Sequence, residues 1–139
     1  MTETKDTDED IERLRKALVV PRERKVGELA EKAKGTLELD EQGTTYIRAP
    51  RDSLSDGQLI SLHLAGKRLA HMIELSPTDS ISREDLARVT GITAKVVSAR
   101  ISELRQRGRV EQGDRGEYRI VFGAIAEVLD EARGSGGRK

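Results

Sequence analysis

Gly91 stands between two sets of helix-start signals, and this places two short helices at a sharp corner in the second half of the chain. Ser82 has the hydroxyl to cap a helix beginning near Arg83 by accepting from the backbone of Asp85, and Ile81 and Leu86 have the spacing of a hydrophobic staple around that cap. A glycine ends such a helix readily, because the left-handed backbone carries no Cβ penalty there. Thr93 then caps a second helix, with Ile92 and Val97 repeating the staple.

Beyond Thr93, the residues Val97, Ile101 and Leu104 recur at three-to-four spacing and form one apolar stripe. At about 100° per residue, the opposite face carries Lys95, Ala99, Ser102 and Gln106, with Ser98 at its edge. A merely solvated helix face is usually covered by bulky charges. Small and polar side chains instead let a helix backbone come close to another surface and leave donors to read it. Gly108 stops this helix, and residues 109–112 and 117–121 alternate as two strands around Gly113, Asp114, Arg115 and Gly116. In that hairpin Val110, Tyr118 and Ile120 are expected to face inward, with Arg115 at the tip.

With Ala87 inside the first helix, Gly91 at the turn, Ile92 after it, Val97 and Ile101 in the second helix and the GDRG tip, the segment 82–121 resembles the winged helix-turn-helix superfamily, in the MarR-like or ArsR-like style of bacterial and archaeal regulators. The resemblance implies a double-stranded DNA-binding transcriptional regulator. Its recognition helix, 93–107, would enter the major groove, and its wing, 109–121, would lie on the backbone or in the minor groove. The expected DNA-contacting residues are Thr93, Lys95, Ser98, Ala99, Ser102, Arg105, Gln106, Arg109 and Arg115. Lys95 and Arg115 lead this set because they match two separate contacting positions of the family, and Arg83 and Arg119 join Arg109 as candidate phosphate contacts. A homodimer is implied as well, its two helices about 34 Å apart on a palindromic operator. Winged helices also serve as protein-docking modules, so the alternative is an interaction or adaptor module within a larger complex.

Charge bears directly on these alternatives. The chain has 139 residues and a formal net charge of zero, with 25 Lys and Arg against 25 Asp and Glu, which opposes a polyanionic partner unless the charges are segregated. They are: residues 82–122 hold nine basic and six acidic side chains, whereas residues 1–16 hold four basic and six acidic. The local excess is modest, so DNA affinity is expected to depend on dimerisation and to be salt-sensitive. Aromatic residues make up only 2%, leaving no stacking platform for single-stranded nucleic acid and an aliphatic core.

Catalytic signals are missing. Cysteine is absent, which excludes disulfides, thiolate metal sites and a cysteine nucleophile. His63 and His71 are the only two histidines, and a spacing of eight sets them about 80° apart on a helix, unlike the i, i+4 pair of a helical zinc site. No Gly-rich phosphate loop or nucleophile elbow is present. The chain is therefore expected to be no enzyme and to use no metal or cofactor. No apolar stretch approaches a signal or membrane span, giving a cytoplasmic expectation without membrane partners.

The expected fold class is mainly α with small β, an α+β arrangement in three parts. Residues 1–50 form a helix-helix-hairpin unit, 51–133 a winged domain closed by a C-terminal helix, and 134–139 a disordered Gly-rich tail. The first part has helices over 7–19 and 22–34 separated by Pro21, then a hairpin with strands 36–40 and 44–48. A long helix over 56–75 turns Leu59, Leu62, Gly66, Leu69 and Ile73 to the core, leaving Ile60 and Leu64 as a second apolar patch. That patch is expected to be covered by the N-terminal unit, a second subunit or a protein partner. Residues 124–133 set Ile125, Val128, Leu129 and Ala132 on one face of a short amphipathic helix.

Overall fold

The computed structural model describes residues 7–19 and 22–137, so Pro21 and the last two residues lie outside the described residues. Its described part is mainly helical with small two-stranded antiparallel sheets, an α+β composition. The chain divides into two compact units, Met1–Glu31 and Lys32–Lys139. The first contains α1 (Asp8–Leu18) and most of α2 (Arg22–Ala33). Thr7 caps α1, its hydroxyl accepting from the Asp10 backbone at 3.2 Å. Acidic residues in the first turn and Arg15 and Lys16 in the last complement the helix dipole.

In the second unit, α3 (Asp56–Met72) is the helix around which the rest is assembled. It starts at a capping box in which the Ser55 hydroxyl accepts from the Gln58 backbone at 3.1 Å and the Gln58 side chain accepts from the Ser55 backbone at 2.8 Å. On its flanks pack the hairpin of β1 (Leu37–Leu39) and β2 (Thr45–Ile47), then α4 (Arg83–Thr90), α5 (Ala94–Gln106), β4 (Tyr118–Ile120) and α6 (Ile125–Gly137). β1 and β2 pair Leu37 with Ile47 and Leu39 with Thr45. β3 (Val110–Gln112) and β4 pair Val110 with Ile120 and Gln112 with Tyr118.

This arrangement corrects several expectations. The hairpin of β1 and β2, assigned by sequence to the N-terminal part, belongs to the larger unit because it lies on α3. There Thr45 of β2 comes against Gly66, on the stripe of α3 already expected to face the core. Ile60 and Leu64 are wholly buried at 0% exposure, so no open patch exists at that place for a partner. Gly66 makes the approach possible: a Cβ on it would collide with the Thr45 side chain. Ile73, expected in the core, is 53% exposed because α3 ends at Met72, and Glu74 turns the chain away with a φ of 66°. The Gly-rich stretch expected to be disordered continues α6 as far as Gly137. Extending a formed helix costs far less than nucleating one, and Ile125, Val128, Leu129 and Ala132 anchor its first turns in the core.

Candidate nucleic-acid interface

The corner around Gly91 forms as its residues dictate. Ser82 caps α4 by accepting from the Asp85 backbone at 3.0 Å, and Gly91 takes a φ of 77° and a ψ of 7° at the other end. Thr93 caps α5 through the Val96 backbone at 3.4 Å. Thr90 ties the turn, donating its hydroxyl to the Leu86 carbonyl at 2.6 Å while accepting from the Ile92 backbone at 3.2 Å. Leu86, Ile92, Val97, Ile101 and Leu104 are buried, which fixes the rotation of α5 about its axis.

That rotation leaves Thr93, Lys95, Ala99, Ser102, Arg105 and Gln106 exposed along one side, with Ser98 half-buried at the edge. Ser98 is held by the Arg83 guanidinium, which donates to its hydroxyl at 3.2 Å and to Glu84 at 3.0 Å. Between α5 and the second hairpin runs a shallow groove of about 400 Å³ lined by Ser98, Ile101, Ser102, Arg105, Gln106 and Tyr118. None of these lining residues carries a negative charge. Among the described residues, the side chain of neither Lys95 nor Arg105 has a hydrogen-bond or ion-pair partner, so both cations are available to an outside anion.

Sequence reasoning missed the part that anchors this groove. Ile81 joins the second sheet: its N–H donates to the Tyr118 carbonyl at 2.8 Å, and the Tyr118 N–H donates to the Ile81 carbonyl at 2.9 Å. A single bridge gives no period-two pattern, so only the apolar residue before the Ser82 cap hinted at it. Arg68 of α3 holds the same strand from behind, donating to the Ile120 carbonyl at 2.8 Å and lying 5.7 Å from the centre of the Phe122 ring.

Three expected phosphate contacts are already engaged. Arg109 turns inward, its side chain only 10% exposed, and forms a two-pronged pair with Glu131 at 2.8 and 2.6 Å, with Glu127 at 3.4 Å. Its placement among the DNA-contacting residues is thereby corrected: this guanidinium joins β3's start to α6 and does not reach the α5 face. The pairing holds the Glu131 carboxyl below the usual carboxylate range, mainly through the Arg109 hydrogen bonds. Arg119 donates to Glu111 at 2.7 Å, and Arg83 is shared between Glu84 and Ser98.

Arg115 is exposed at the hairpin tip in the left-handed conformation, with φ 57° and ψ 33°. It lies apart from the α5 groove, in a separate recess lined also by His71, Asp79, Ser80 and Glu117. The structure therefore gathers Ser98, Ser102, Arg105 and Gln106 in one groove, places Thr93, Lys95 and Ala99 on the same exposed side of α5, and leaves Arg115 at a second position. Among the described residues no group of three or more His, Asp or Glu is arranged to hold a metal ion, and no helix is long and apolar enough to cross a membrane.

No family model matches the chain, and no curated protein or solved structure matches it either.

Proposed function

We propose that this protein is a winged helix-turn-helix protein that binds double-stranded DNA and regulates transcription, with α5 in the major groove and the β3–β4 hairpin as the wing. The order of α3, the Ile81 bridge, α4, α5, β3, β4 and α6 supports the winged reading, because the bridge supplies the third, short strand of the wing sheet. The observation that carries DNA binding is the exposed face of α5: small and polar, with Lys95 and Arg105 unpartnered among the described residues and no carboxylate lining the adjoining groove.

In this reading Ala99 and Ser102 allow the helix backbone to approach base edges, Gln106 and Lys95 donate to them, and Arg105 and Arg115 hold phosphates on either side. The test is binding to a random duplex at low salt, followed by fluorescence anisotropy through a salt series. Lys95→Ala and Arg115→Ala should each weaken binding several-fold and reduce the magnitude of the salt slope by about 1. Unchanged slopes in both variants would remove the docking mode.

The zero net charge favours a second reading, a winged-helix module that docks on another protein. No saturable retention of duplex DNA at micromolar protein would favour that module over the regulator.

A further inference from the structure

We infer that α1 is a self-association element, and that its occupant is the α1 helix of a second copy of this chain, paired in parallel. Three apolar side chains of α1 form an exposed stripe: Ile11 is 46% exposed, Leu14 58% and Leu18 70%, and no residue of the helix is buried. Among the described residues this is the only helical stripe of large apolar side chains left open. The remaining exposed ones are Val19, just past the end of α1, and Tyr46, Ile73 and Val89, which are far apart in the chain; scattered singles like these three are ordinary on a protein surface. Ile60 and Leu64 of α3 are buried, and so are Ile125, Val128, Leu129 and Ala132 of α6.

The flanking charges identify the occupant. Ile11 and Leu18 are seven residues apart with Leu14 between them, the a-d-a spacing of a two-stranded coiled coil. On that register Asp10 is at a g position and Arg15 at the following e position. In a parallel pair those two positions of opposite helices face each other, so Asp10 of each copy meets Arg15 of the other, twice over by symmetry. Within the single chain, Asp10 pairs with Arg13 at 3.3 Å and Arg15 with Glu12 at 3.1 Å, all four side chains largely exposed. Exposed i, i+3 pairs of this kind contribute little and exchange readily. A helix of 11 residues is about 16 Å long, so the pairing is short, and the dimer it makes is concentration-dependent.

Sedimentation equilibrium of the full chain, without DNA, tests this independently of the proposed function. From about 5 to about 500 micromolar the protein should pass from monomer to dimer. Leu14→Asp should raise the dissociation constant at least about tenfold while leaving the dilute thermal melt unchanged, since Leu14 is not part of any core. Asp10→Arg and Arg15→Asp should each weaken the dimer, and the double variant should restore it. A monomer throughout the range, or a dimer untouched by Leu14→Asp, would overturn the assignment. Failure of the double variant to restore association would overturn the parallel register, because an antiparallel pair sets Arg15 against Asp8 instead.

Discussion

Helices α1 and α5 carry the same kind of apolar pattern and have opposite fates. Each has large aliphatic residues at three-to-four spacing, Ile11, Leu14 and Leu18 in one and Val97, Ile101 and Leu104 in the other. α5 buries its stripe to 0%, 3% and 4% exposure and presents a polar face; α1 buries none of its residues. Periodicity thus specifies that a helix has two faces. What lies against the apolar face is decided by the rest of the chain: α5 has α3 and α4 at the right distance, positioned by the Gly91 corner. The largest expected effect turns on this contrast. Ile101→Ala should destabilise the protein by about 3 kcal/mol through lost burial and the cavity left behind, whereas Leu14→Ala should change it by less than about 0.5 kcal/mol at dilute concentration. Chemical denaturation of the two variants side by side measures the difference, and equal losses would mean that α1 is as fully packed as α5.

A second contrast lies between arginines that sequence cannot tell apart. Arg109 precedes the hairpin and Arg115 is at its tip; one is bound inside by Glu131 and the other stands exposed. Removing one partner of a largely buried pair leaves the other charge uncompensated, a loss moderated here because Glu131 is 38% exposed. Glu131→Gln should therefore lower stability by about 2 kcal/mol, while Arg115→Ala should leave the melt nearly unchanged and act on DNA affinity instead. A variant of Arg115 that lost as much stability as Glu131→Gln would erase the distinction between structural and available cations.

The elements whose signals are local were legible in the sequence. Ser82, Gly91 and Thr93 delimit α4 and α5 within a residue or two, and the glycines of the second hairpin locate its turn. The exposed face of α5 followed from helical geometry alone. Signals that depend on distant residues were not legible. The Ile60 and Leu64 side of α3 was read as bare from the helix's own pattern, yet both residues are wholly buried, and Gly66, on the other stripe, admits Thr45 from β2 only because it has no side chain. Likewise, the fate of Arg109 depends on Glu131, 22 positions away on another element. Nothing near Arg109 in the sequence distinguishes it from a phosphate contact.

The smallest effect separates the two regions by their response to protons. His63 is on α3, within the packed unit, where burial pushes its pKa below the usual histidine value. A group with a depressed folded pKa favours the neutral form in the native state, so the unfolded chain binds more protons once the pH falls below the ordinary histidine range. Stability should accordingly be level above about pH 7 and decline as the pH falls through about 6.5. That decline precedes the loss from Asp85 and Glu131, whose lowered carboxyl pKa values place their contribution at more acid pH. His63→Gln should flatten the first decline by a few degrees of melting temperature, about 2 °C, and Leu14→Ala should leave it in place, because Leu14 is exposed. A decline that persists unchanged in His63→Gln would assign the proton-sensitive step to some other group and detach it from the packed side of the comparison.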